Sequence, residues 1–224
     1  MAFGIVQKIG TDAQDAAPTV SGGAGWAAPS AGNVLIAAIN AGDPSISLAG
    51  WTQVVNMAYQ SSTRALALFS KTATGSETSI VAALGASAFW AMCALEVSGI
   101  STLIEAVIAD TNSSATTSGL TSSSPAAGSF VFGAQGFLFN TVAAGSGFTA
   151  LVPSNQAQMY WGTSFGQLIG VEYESAPGGS QVEATFTLSD SHGAAALVAA
   201  FSAAVAGPTL SVKLHEPLAG GALI

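Results

Sequence analysis

From residue 50 to residue 99 the chain sets four apolar runs between short polar breaks, and each run has the length of a strand rather than of a helix. In Arg64-Ala65-Leu66-Ala67-Leu68-Phe69-Ser70-Lys71 the ends are charged and the middle is apolar. Thr74-Gly75-Ser76-Glu77 then brings the Gly and small polar side chains that a tight reversal needs. The pattern predicts antiparallel β-structure.

Taken in order, residues 3–10 read as a first strand and residues 11–30 as a loop rich in Gly, Ala and Pro around Trp26. Residues 32–39 form a continuous apolar run, the mark of a strand buried on both faces or in a sandwich core. Gly42-Asp43-Pro44 ends it with turn chemistry. Further strands are expected at 51–59, 65–71, 79–84 and 89–97.

The second half restates this plan. Pro29-Ser30-Ala31-Gly32-Asn33-Val34-Leu35-Ile36 matches Pro125-Ala126-Ala127-Gly128-Ser129-Phe130-Val131-Phe132, and Ala49-Gly50-Trp51-Thr52 answers Ser146-Gly147-Phe148-Thr149. Thr74-Gly75-Ser76 is echoed by Gly178-Gly179-Ser180, and residues 89–98 by 194–202. Matches in the same order, about one small domain apart, predict an all-β chain of two tandem antiparallel β-sandwich lobes of jelly-roll or immunoglobulin-like type. The expected division is 1–101 for the first sandwich, 102–206 for the second and 207–224 for an extended C-terminal arm, with 104–110 as a strand and 111–124 as a low-complexity loop or edge strand.

Composition narrows the function classes. Half of the 224 residues are hydrophobic and only 7% are charged, so part of the surface is expected to be covered. The net charge of -8 comes from 12 acids against 4 bases, and Lys8, Arg64, Lys71 and Lys213 are too scattered to neutralise phosphates; nucleic acid is not an expected partner. Cys93 is alone in an apolar run and reads as a small buried hydrophobe. The first residues lack the pattern of a secretory signal, so synthesis in a cytoplasm is expected. Residues 193–207 are apolar but too short to span a bilayer as a helix, and read as a buried strand followed by a linker, with a short helix as the alternative; no membrane role is expected.

Candidate chemistry is sparse. Asp190-Ser191-His192 holds the residue types of a hydrolase triad, but neighbouring positions point apart, and a polar turn is the reading preferred. Glu172 and Glu174 share one strand face, taken as a solvated edge rather than a glycosidase pair. His192 and His215 lack partners for zinc, and no phosphate-binding Gly loop is present, so no catalytic residue, metal or cofactor is expected. Trp26, Tyr59, Tyr160 and Trp161 lie in or beside loops, where they could stack on a sugar or anchor a protein contact; Trp51 and Trp90 fit the core. Arg64 and Lys71 are expected to cap one strand with their charges in water. In the arm, Thr209 to Leu214 alternates between Pro208 and Pro217, and Leu210, Val212, Leu214, Leu218, Leu223 and Ile224 are the apolar residues expected to meet a partner.

The buried strand after Pro-x-x-Gly, then Gly50-Trp51-Thr52, the strand from Arg64 to Lys71, the Thr74-Gly75-Ser76 turn and a closing strand ending Leu95-Glu96-Val97-Ser98-Gly99 together resemble β-rich proteins of tailed phages and prophages. The resemblance covers roughly residues 29–204. It implies a virion structural protein with no active site, most naturally a capsid decoration or other surface component, contacting other virion proteins and copies of itself. The competing expectation is a carbohydrate-binding or adhesin module that holds a surface glycan through exposed aromatics.

Overall fold

A computed structural model of the protein describes residues 2–21, 25–111, 115–138, 141–152, 160–162, 167–189 and 193–204. All regular structure among them is β, and the strands pair antiparallel. The first half contributes β1 (Gly4–Asp15), β2 (Thr19–Ser21), β3 (Val34–Ala41), β4 (Ile46–Leu48), β5 (Thr52–Tyr59), β6 (Arg64–Thr72), β7 (Ser79–Leu84) and β8 (Ala88–Ser98). These make a large sheet in the order β1-β8-β3-β6-β5 and a small sheet β2-β7-β4. The second half contributes β9 (Ile100–Thr111), β10 (Ala115–Thr117), β11 (Phe130–Leu138), β12 (Val142–Ala144), β13 (Thr149–Ala150), β14 (Tyr160–Gly162), β15 (Gln167–Ser175), β16 (Thr185–Leu188) and β17 (Ala194–Ala203). Its large sheet runs β13-β15-β11-β17-β9 and its small sheet β10-β16-β12. Strand for strand this is the first order again, with β13 and β14 sharing along β15 the edge that β5 holds alone along β6.

The duplication extends to register. Val34 lies between Val97 and Thr72 in one lobe, and Phe130 between Phe201 and Ser175 in the other. The Pro-x-x-Gly turns close alike: Gly32 N–H donates to the Ala73 carbonyl at 2.9 Å and Gly128 N–H to that of Ala176 at 3.0 Å. Gly32 and Gly128 have φ of 89° and 82°, a backbone that a side chain would strain, which explains why Gly recurs there.

The continuous apolar runs have a specific cause. β3 and β11 are buried at every position because each large sheet is covered on both faces. One face meets the small sheet of its own lobe: Leu35, Ala37, Ile39, Phe69 and Met92 pack on Val20, Ile46, Ile80 and Ala82. The opposite face meets the other lobe: Ile36, Ala38, Leu66, Leu68 and Leu95 share one core with Phe130, Phe132, Ile169, Val171 and Leu197. The layers therefore run small, large, large, small, and the lobes cover much of each other's apolar surface. Each fully buried Leu, Ile or Phe there is worth roughly 1.5–3 kcal/mol. The small sheets face water with their outer side, so β7 alternates exposed and buried while β3 does not.

Several expectations are corrected. The first strand extends to Asp15, because its polar second half pairs along β8 as a sheet edge. The expected loop 11–30 also contains β2. Lys71 is not a free solvated cap: its ammonium binds Glu77 at 2.8 Å, and Arg64 has its Nε and Nη1 atoms buried without a hydrogen-bond partner among the described residues. Of the segment 193–207, residues 194–203 form β17, buried over most of its length, and 205–207 lie outside the described residues. The arm beyond residue 204 lies outside the described residues.

Candidate functional site

Two of the aromatic residues offered as surface contacts belong to the interior. Trp26 is buried; its indole N–H donates to the Glu77 carbonyl at 2.9 Å and its ring packs in the outer core of the first lobe. Tyr59 is buried at the junction of the lobes. Its hydroxyl donates to Asn40 Oδ1 at 2.7 Å, and Asn40 Nδ2 donates across the junction to the Leu168 carbonyl at 2.6 Å. A stacking role for Trp26 and Tyr59 is thus overturned: an indole N–H or phenol that finds an internal partner is stable inside. Tyr160 and Trp161 pair through their backbones with Gly170 and Ile169, and their side chains are outside the described residues. The same holds for Asp190, Ser191 and His192, and for Leu210, Val212, Leu214, Leu218, Leu223 and Ile224.

The carboxylates are largely engaged in holding loops. Glu96 accepts from Gln7 Nε2 at 2.7 Å, Asn33 Nδ2 at 2.6 Å and Ser30 N–H at 2.8 Å. Gln7 in turn binds Ala27 through both amide atoms. In the second lobe Glu105 stands where Gln7 stands in the first, and accepts from Ser122 N–H, Ser123 N–H and Ser123 Oγ. These bonds hold its carboxyl down at about 2. Glu77 binds its own turn through the N–H groups of Thr74, Gly75 and Ser76. Burial raises its pKa, but Lys71 and the turn donors outweigh this and hold it at about 2. Among the described residues no group of three or more His, Cys, Asp or Glu could hold a metal ion, and no helix is long and apolar enough to cross a membrane. Cys93 lies in the central core, where burial pushes its thiol far up, as suits an inert packing residue.

Two surface depressions lie at the seams where the large sheets meet. A cleft of about 520 Å³ follows the edge strand β1 and is lined by Phe3, Ile5, Val6, Gln7, Lys8 and Tyr173. The corresponding seam of the other lobe carries a groove of about 320 Å³ at β9, with Ser101, Thr102 and Leu103 facing Thr52, Ser70 and Thr72. Both edge strands are bulged at the same place. The shared bulge leaves Val6 on β1 and Ile104 on β9 out of the ladder, and they stand 53% and 39% exposed. A bulge turns its extra side chain away from the ladder and blunts an edge. The floor of the β1 cleft is aromatic: the Phe3 ring meets those of Phe130 and Tyr173 edge-on, with centroids 4.9 Å and 6.3 Å away. Nothing in the single strands announces these seams; the equivalence of β1 and β9, which aligns residues 5–7 with 103–105, exposes the shared bulge.

One carboxylate departs from the pattern. Glu172 shares a strand face with Glu174, as expected, but that face is covered by the small sheet and Glu172 is fully buried. Its Oε2 accepts from Gly145 N–H at 2.8 Å, while Oε1 has no partner among the described residues. Burial dominates and pushes its pKa up to about 8, against the pull of the Gly145 and Thr185 N–H groups and with a small push from Glu174. The reading of this face as a solvated edge is corrected for Glu172.

Comparison with models of protein families, with characterised proteins and with solved structures finds no match to the chain.

Proposed function

We propose that the protein is a non-enzymatic structural component of a phage particle, a capsid decoration or other surface protein that acts through contacts with copies of itself and with neighbouring virion proteins. The observation that carries this reading is the repeated seam: two edge strands with the same bulge, each presenting an exposed aliphatic residue beside a groove. A duplicated contact of this kind lets one chain bridge two neighbours in related geometry, which suits a surface built by repetition. The low share of charged residues, 7%, adds to it, since such a surface loses little solvation when covered. The burial of Trp26 and Tyr59 weighs against a sugar-binding row of aromatics.

The test is sedimentation of the wild-type chain across a concentration series beside the variants Val6→Lys and Ile104→Lys, with quantification of the chain in purified particles. The reading predicts self-association lost in both variants and a fixed, repeated copy number per particle. A monomer at all concentrations, with no particle-bound chain, rejects it.

A further inference from the structure

The outer cores of the two lobes, built on the same strands in the same register, differ in polarity at one place on the paired strands β3-β6 and β11-β15. In the first lobe Ala37 pairs with Phe69 and Ile39 with Ala67, and all four side chains belong to the apolar layer beneath the small sheet. In the second lobe the corresponding pairs are Gly133 with Glu172 and Gln135 with Gly170. The checkerboard of large and small residues is kept, but Phe and Ile are replaced by Glu and Gln. Gly133 leaves the room that Glu172 takes, since a Cβ there would lie 2.8 Å from Glu172 Cγ, while Gly170 lets Val142 of the small sheet close in, a Cβ there lying 2.8 Å from it.

Neither polar group is properly matched. Gln135 is fully buried with both amide atoms unpartnered among the described residues, and Glu172 has one free oxygen. Around them lie Val131, Phe137, Val142, Ala184, Phe186 and Leu188. No cation is at hand, since Lys8, Arg64 and Lys71, the cations among the described residues, all belong to strands of the first lobe. The titratable groups that border the site are acids. Glu174 follows on the same strand face, and Glu183, bound by Thr117 Oγ1, lies on the segment entering β16. The described parts of β10, β11, β12, β13, β16 and β17 contribute none. A carboxyl so placed is tolerated with its proton on, and its ionised form has neither counter-charge nor enough donors.

We propose that Glu172 is a proton-controlled latch on the second lobe: protonated, it lies neutral between β15 and the small sheet, and loss of its proton to solvent opens the small sheet β10-β16-β12 away from the large one. The small sheet is the element that yields, because its strands are short and one face is already in water, whereas β11 and β17 are buried on both faces. The first lobe, filled by Phe69 and Ile39, has no such latch and stays shut over the same pH range. This inference does not depend on the particle reading.

The sign follows from linkage. The closed lobe holds the proton more tightly than the open one, so closing is favoured at low pH. Between the ordinary carboxyl value of 4.5 and about 8, each pH unit raises the open fraction by up to tenfold, and above that the effect levels off. Hydrogen exchange read by mass spectrometry on the full chain at pH 5.5 and 7.5, corrected for intrinsic exchange rates, tests it. Peptides of β10, β12 and β16 should lose protection by roughly ten- to a hundredfold between these values, those of β2, β4 and β7 should not, and Glu172→Gln should abolish the difference. Equal pH slopes in the two lobes, no slope in the second lobe, or a slope that persists in Glu172→Gln overturns the proposal. Should Glu172→Gln fail to fold, the contrast between lobes in the wild type still decides.

Discussion

Replacing Asn40 tests whether the lobes form one body, because its amide is a buried polar link across their junction. Asn40→Ala leaves the Tyr59 hydroxyl and the Leu168 carbonyl without their partner in a buried site. Each orphaned group costs roughly 1–3 kcal/mol, and with the small cavity the loss should reach about 3–6 kcal/mol. Tyr59→Phe orphans only the Asn40 oxygen and should cost roughly 1–2 kcal/mol. In the double variant the hydroxyl no longer lacks a partner, so its cost should fall short of the sum by roughly 1–2 kcal/mol. Urea titration followed by tryptophan fluorescence measures all of this; Trp26, Trp51 and Trp90 report on the first lobe, and Trp161 lies on β14 of the second. Far-ultraviolet circular dichroism, which sees both lobes, should give the same midpoints. Additivity within about 0.5 kcal/mol, or a loss below 1 kcal/mol for Asn40→Ala, would refute the bridge.

Other outcomes follow from local geometry. Gly99→Ala should destabilise by roughly 2 kcal/mol or more, since φ is 74° and a Cβ would meet the Ala2 carbonyl at 2.7 Å; Gly50→Ala, with φ of 76° and open space around it, should cost only about 1 kcal/mol. Thermal melts separate the two. Glu77→Gln should cost roughly 1–2 kcal/mol at neutral pH, a modest loss because the ion pair with Lys71 is partly solvated. The folded value near 2 lies below the ordinary carboxyl value of 4.5, so this stability is present above 4.5 and disappears as pH falls toward 2. Melts of wild type and variant should therefore converge in acid, and a constant gap would contradict the assignment.

The pattern of apolar runs made the fold class and the internal repeat legible, because strand length, turn residues and the Pro-x-x-Gly entry to β3 and β11 are local properties. The double burial of β3 was also written in its unbroken apolar run. What that run could not say is that the second cover is the other lobe. Trp26 misled for the opposite reason: it sits in Gly- and Ala-rich text that looks like an open loop, yet the loop folds inward and buries it against β7. Glu172 alternates with Glu174 as solvent-facing residues do, and period-two alternation cannot tell water from a second sheet. Only the pairing of the two halves reveals it, by placing Glu172 where Phe69 stands and Gln135 where Ile39 stands.

The seams, the Asn40 bridge and the contrast between lobes all presuppose that the two sandwiches share one central core. Differential scanning calorimetry of the whole chain measures this most directly. A shared core predicts a single transition whose calorimetric and van't Hoff enthalpies agree. Two resolved transitions, one for each lobe, would contradict it.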